Sequence, residues 1–402
     1  MSLATSTPEV SWAPRSATRA AHAAFLPVGL VTVLLGPMLP ILCERWSLSD
    51  TQAGYLFTAQ FLGATLGVSF SGRVIRHWGY RTAMIIGLTT IALGVGALPL
   101  LSLRGGLFAI ACYGGAIGLM GPTCNLLVAE INARQRAAAL NMLNFSWSVG
   151  AVSCPFLVAA AARVQHPSFL LYTIAAVALL VSMAILAFVP SCVDECGRIV
   201  GREAGSRRIL WSRPGVLVLC AVFFLYVGTE NSIGGWLASF AKRGASAANL
   251  PIVTSSFFYL ALLAGRMVAP VILWRTREVT LARIGLVVSV GGTVGLVSAH
   301  SLPGIIAGAS VAGLGLSVVF PITIAMMSRS FGSDSPRAGP VFFNMANFGG
   351  ATLPLMVGYT SERFGNLSVG LVVALAATAT MLALFCLYVQ SERPLKQTAW
   401  LD

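Results

Sequence analysis

One carboxylate in this 402-residue chain stands where charge is costly. Of the 13 acidic residues, all but Glu230 fall in tails, loops or helix ends, whereas Glu230 lies inside the apolar stretch 215–240. It sits about 21 Å along a helix that starts near Val216, just past the middle of a bilayer. An ionised carboxylate there costs about 3 kcal/mol, so such groups are paired, wet or protonated and mark transport pathways. No Lys shares that depth, and neither do His22, His77, His166 and His300. The chemistry this suggests is proton carriage; the structural alternative is a neutral Glu bonded between helices.

Amides supply a second chemistry. Asn141, Asn144 and Ser148 share one helix face, and Asn344 and Asn347 share a face of another. Each amide offers two donors and an acceptor, which suits the vicinal hydroxyls of a sugar. Gln60, Asn125 and Asn231 are candidates for the same ring of uncharged polar groups, with Trp147 and Trp236 placed to stack on the apolar face of a pyranose. Tyr226 precedes Glu230 by one turn and can reach its carboxyl. The competing reading of the amides is interhelical cross-linking, worth about 0.6 kcal/mol each. For Trp236 it is anchoring at the membrane interface.

The elements that hold these groups follow from composition. With 56% hydrophobic and 10% charged residues, the chain cannot present a water-facing surface, which needs about a quarter of its residues charged. At about 20 apolar residues per span, the length allows roughly twelve helices and leaves little for a soluble catalytic domain. Continuous apolar runs exclude a transmembrane barrel, whose strands alternate. The net charge of +13 is dispersed through short gaps, so it argues for membrane orientation and against nucleic acid. The eight cysteines lie mostly in apolar runs, where Cys acts as a small hydrophobe. Cys192 and Cys196 share a polar loop with no further ligands nearby, so neither metal nor cofactor is expected. No constellation of an integral-membrane enzyme is present.

Gly, Pro and charged clusters divide the chain into helices near 20–42, 51–72, 82–102, 105–129, 137–162 and 168–190, then 215–240, 250–273, 279–299, 302–329, 337–360 and 367–390. The expected organisation is a cytoplasmic tail (1–19), a six-helix half (20–190), a cytoplasmic linker (191–213), a second half (214–390) and a cytoplasmic tail (391–402). Basic residues concentrate on one side of this layout. The other side keeps only Arg45, Arg104, Arg163, Lys242, Arg243 and Arg363, which places both termini inside a multi-pass plasma (inner) membrane protein.

The chain also repeats itself. Asn141-Met142-Leu143-Asn144-Phe145 returns as Asn344-Met345-Ala346-Asn347-Phe348, Pro122 is answered by Pro321, and Gly72-Arg73 by Gly265-Arg266. Two halves of the same orientation imply a pseudo-twofold axis along the membrane normal, with a cavity between them.

Gly72-Arg73, Arg76 and Gly79-Tyr80-Arg81 occupy the place and glycine spacing of the signature inner-gate loop of the major facilitator superfamily, which the chain resembles over essentially its whole length. Arg76 stands where that pattern usually carries Asp. Gly79-Tyr80-Arg81, the stretch Phe224 to Trp236 within helix 7, Phe320-Pro321 and the paired asparagines are similar to the fucose/galactose/glucose proton symporter branch. The acidic residue that this branch carries in helix 4 is missing between Gly118 and Asn125. The resemblance implies an all-α integral membrane fold of twelve helices in two pseudo-symmetric halves, acting by alternating access. The expected function is secondary active transport of a small neutral solute, most simply a hexose, by a monomer. Glu230 carries the coupling proton, though sodium suits a buried carboxylate too. The alternatives are an exporter of amphipathic molecules, against which the paired amides argue, and a non-transporting membrane sensor.

Overall fold

A computed structural model describes residues 15–132, 135–191, 193, 215–244, 250–331 and 335–391. Every regular element among the described residues is helical. The first span is α1 (Arg15–Val33) followed by α2 (Leu35–Trp46), which meet at 48°. Pro37 explains the break: it has no N–H, and its ring crowds the carbonyl four residues back, that of Val33. Helix α1 begins at Arg15, so it takes in residues expected in the tail.

The second and third spans form one 48-residue helix, α3 (Asp50–Ala97), interrupted only at Gly79. The boundary expected between 72 and 82 is therefore helix on both sides of a single glycine. Its φ of 84° lies in the left-handed region, which a side chain at this position would penalise. Then come α4 (Leu103–Ile131), α5 (Arg136–Arg163) and α6 (Pro167–Phe188). The second half contains α7 (Val216–Gly244), α8 (Leu250–Leu273) and α9 (Glu278–Val297), then α10 (Leu302–Leu316) with α11 (Val319–Phe331), and finally α12 (Ser335–Phe364) and α13 (Leu367–Ser391). The gap between α10 and α11 repeats the logic of the first span, because Pro321 crowds the carbonyl of Ser317. Its repeat partner Pro122 stays inside unbroken α4.

Among the described residues, nine helices are long and apolar enough to cross a membrane, and the bent pair α1–α2 makes a tenth. Helix α3 has the length for two crossings. Helix α12 is less apolar because it carries Asn344, Asn347, several glycines and charged ends. Together these give twelve spans, and the even number puts the start of α1 and the end of α13 at one face of the bundle. That face is called terminal below, and the opposite one distal. The linker 191–213 and the far ends of both tails lie largely outside the described residues, as do Cys192 and Cys196.

Small residues set the closest approaches. A Cβ on Gly63 would strike the Ala111 carbonyl, and one on Gly114 would strike that of Gln60, so α3 and α4 meet backbone to backbone. Across the halves, α3 packs on α12 and α5 on α8, forming two lateral seams, and α2 packs on α7.

Candidate functional site

The distal face is closed by groups from both halves. Asp50 opens α3 next to a capping box in which Ser49 and Gln52 bond reciprocally. Arg243, at the end of α7, donates Nη1 to the Asp50 carboxylate at 2.9 Å and pairs with its other oxygen through Nη2. The Ser361 hydroxyl of α12 donates to Asp50 at 2.6 Å, the Thr51 N–H donates to Glu362 at 2.8 Å, and Lys242 pairs with Glu44. Lys242 and Arg243, two of the basic residues that orientation alone left unexplained, are spent on this latch.

Beneath it the seal turns apolar. Trp236 has 0% of its surface exposed; its indole N–H donates to the Pro354 carbonyl at 3.0 Å, and its ring lies 6.3 Å from that of Phe57 in the other half. Thr58 donates to the Ala351 carbonyl at 2.7 Å across the same seam. Solvent-exposed ion pairs are worth about 0–1 kcal/mol each, so burial of Trp236 and Phe57 carries most of the seal.

On the terminal side the α3/α12 seam stays bridged by the bond from Asn344 to Ser69, while the α5 side opens. The α5 stripe Asn141, Asn144, Ser148, Ala151, Pro155 has one helical azimuth; its distal three members are buried and its first two exposed. Helix α8 thus covers the distal part of α5 and leaves the terminal part open. Pairs at the terminal face join helices of one half: Tyr80 donates to Glu130, Arg81 donates to the Leu186 carbonyl at 2.6 Å, and Glu278 pairs with Arg329. Of the loop residues singled out by sequence, Gly72, Arg73 and Arg76 are exposed and Gly79 is buried at the break.

The polar groups of the interior run from the terminal side to mid-membrane, where Glu230 lies. Glu230 on α7 is partly exposed, and the Tyr226 hydroxyl is within hydrogen-bonding reach of its carboxyl. Tyr226 in turn accepts a bond from Arg266 Nη2 on α8 at 3.3 Å and stacks on Phe320 of α11 at 5.1 Å. Arg266 is within electrostatic reach of Glu230. Sequence reasoning missed Arg266 as an interior group, treating it only as the repeat partner of Arg73. Its signal was its place inside the apolar run Leu250–Leu273.

The amides divide by role. Asn125, Asn144 and Asn231 each donate to the carbonyl one turn back, at 2.8, 2.9 and 2.8 Å, so each keeps its acceptor and one donor unspent. Asn344 donates to Ser69 of α3 at 3.0 Å, and its own Oδ1 is buried without a partner. Asn347 follows one turn later on the same stripe, partly exposed. The α5 pair therefore borders the α5/α8 seam and the α12 pair the α3/α12 seam, at opposite sides of the cleft and not in one closed ring.

Gln60 is 2% exposed and spent at both ends: it donates to the Thr32 carbonyl at 3.0 Å, beside the α1–α2 break, and accepts from Tyr113 at 3.2 Å. Trp236 belongs to the distal seal, while Trp147 packs on α1, its backbone against Gly29. Gln60→Leu is expected to leave the Thr32 carbonyl and the Tyr113 hydroxyl without their bonds, at a cost of about 1–3 kcal/mol, measurable as a lower thermal midpoint of the purified protein.

The two halves are thus latched across the distal face, the α5 stripe is exposed on the terminal side, and donors, acceptors and the Arg266–Glu230 charge pair lie between among the described residues. The Major Facilitator Superfamily model matches residues 22–333. A glucose/mannose transporter of Bacillus subtilis (strain 168) is 21% identical over 85% of this chain and 87% of its own. A sodium-dependent glucose transporter 1A of Mus musculus is 22% identical over 94% of this chain and 97% of its own. Among solved structures, a D-xylose-proton symporter superposes with a TM-score of 0.68 at 17% identity, covering 91% of this chain and 96% of that one. With three quarters of its length matched by the family model and the twelve-span fold in place, the chain belongs to the major facilitator superfamily and is a membrane transporter.

Proposed function

We propose that the protein carries a hexose or a closely related sugar together with a proton, by alternating access between its two halves. The terminal face is cytoplasmic in this reading, since most basic loop residues lie there. The conformer described is then inward-open, in the plasma membrane. The observation that carries the proposal is the interior itself: among the described residues the Glu230 carboxylate sits with Tyr226 and Arg266, and Asn144, Asn231 and Asn344 keep amide groups unspent. Unspent amide groups suit a neutral polyol, and the names of the relatives point to the same substrate class.

Glu230 is the proton carrier, and Asn141, Asn144, Asn344 and Asn347 hold the sugar as the seams close around it. Sodium is the second reading of the coupling ion, favoured by the mouse relative's name. The test is counterflow in proteoliposomes: labelled glucose, galactose or mannose should enter vesicles preloaded with the unlabelled sugar. Vesicles that exchange none of the three contradict the proposal.

Two predictions arise from this geometry. Asn144→Ala and Asn347→Ala should each weaken sugar binding by about 0.5–1.5 kcal/mol while leaving the thermal midpoint near wild type. Loss of stability with unchanged affinity assigns these amides to helix cross-linking. Asp50→Ala should loosen the distal latch. Cys43 on α2, half-buried beside Asp50 and Arg243, reports this directly. Its modification by a membrane-impermeant maleimide from the distal side should accelerate about fivefold, the population shift given by 1 kcal/mol. Cys43→Ser supplies the background rate.

A further inference from the structure

Arg266 is poorly satisfied for a guanidinium inside a membrane bundle. It has five N–H donors, yet its hydrogen bond to a described residue is a single 3.3 Å contact to Tyr226, and its Nε is buried without a partner. It does not escape to the surface. Helix α8 continues seven residues further, about 10 Å, to Leu273, and the buried Nε is inconsistent with a side chain stretched to the interface. Nor does the fold demand a buried arginine here. Its repeat counterpart Arg73 is exposed and lies over the Phe70 ring at 5.3 Å.

The depth of these groups completes the picture. Measured from the terminal ends of their helices, Arg266, Tyr226 and Glu230 lie about 10, 15 and 21 Å deep. Arg266 thus lies between the terminal face and Glu230. Tyr226 holds the guanidinium by one Nη atom, leaving the rest of the fork uncommitted. Glu230 compensates its charge at a distance, so the pair favours a ligand of zero net charge that is rich in oxygen acceptors.

We infer that Arg266 is a substrate-binding residue whose unspent donors grip adjacent oxygens of the sugar between the guanidinium and Glu230. This deepens the sugar reading and rests on it for the identity of the ligand. The planar fork is the essential property, because it offers parallel donors to two neighbouring oxygens where an ammonium offers a point charge. Tyr226 is a positioning residue that sets the orientation of that fork.

The test uses Arg266→Lys, which keeps the charge that balances Glu230, beside Arg266→Gln and Tyr226→Phe. Thermal stabilisation of the purified full-length protein is titrated with glucose, galactose, 2-deoxyglucose, glucuronate and gluconate, and counterflow of labelled glucose is measured in parallel. The expected result is that Arg266→Lys raises the half-saturating glucose concentration about tenfold or more, with its ligand-free midpoint close to wild type. Tyr226→Phe should give a smaller rise. If Arg266→Lys and Arg266→Gln bind glucose as tightly as wild type, Arg266 is a structural residue and the inference is overturned. If wild type is stabilised by the sugar acids alone and Arg266→Lys loses that response, the hexose reading fails while the role of Arg266 stands. A wild type stabilised by no member of the panel overturns both.

Discussion

Glu230→Gln is expected to keep exchange and lose accumulation. The amide preserves the shape of a protonated carboxyl, so counterflow of sugar should survive. Uphill movement should vanish, since a gradient biases the cycle only through a site that binds the proton differently in two states. For one proton per sugar, a pH difference of one unit supports about tenfold accumulation; the Gln variant should stop at equal concentrations. The charge of Arg266 would then lack its compensation, and removing one member of a buried charge pair destabilises. Adding Arg266→Gln should restore the thermal midpoint of the Glu230→Gln variant without restoring accumulation. A single variant that still concentrates sugar in response to pH would place the proton elsewhere.

Gly349→Val should have the largest effect on folding. A Cβ at Gly349 would strike the Phe224 carbonyl of α7, a backbone atom that cannot rotate away. Helix α12 would be pushed off α7 and with it the stripe carrying Asn344 and Asn347. Overpacking of this kind costs about 3 kcal/mol, enough to remove the monodisperse peak in size-exclusion chromatography. Gly72→Val is the matched control, since a Cβ at Gly72 meets nothing within 4 Å; it should elute as wild type does.

Most of the fold was legible because a bilayer imposes it. Runs of about 20 apolar residues have one stable form in lipid, so twelve spans could be counted from composition. What composition hides is continuity. Residues 73–78 read as a polar loop by charge, but nothing in them breaks a helix, and only Gly79 does. The breaks at Leu34 and Ser317–Val318 lie inside apolar runs, where an apolar count sees nothing; they follow from Pro37 and Pro321 acting one turn upstream.

The site was legible in part. Glu230 stands out because an isolated acid in an apolar run has few structural uses, and the amides stand out through their repeat. Their partners do not. That Asn344 bonds Ser69 and that Gln60 secures the carbonyl of Thr32 depend on which helices are neighbours. Trp236 carries no mark in sequence to separate a stacking platform from a sealing plug, and the structure buries it. Arg266 reads only as the repeat partner of Arg73, although it lies within the apolar run 250–273; the packing of α8 on α7 draws it under Tyr226.

The most direct test of the account is glucose uptake by wild-type proteoliposomes under separately imposed gradients. With the medium one pH unit more acidic than the lumen and sodium absent, internal glucose should rise about tenfold above external and fall back when a protonophore is added. Accumulation driven by a sodium gradient and indifferent to pH, or uptake that only reaches equality under either gradient, would contradict the assignment of Glu230 as the proton carrier of a sugar symporter.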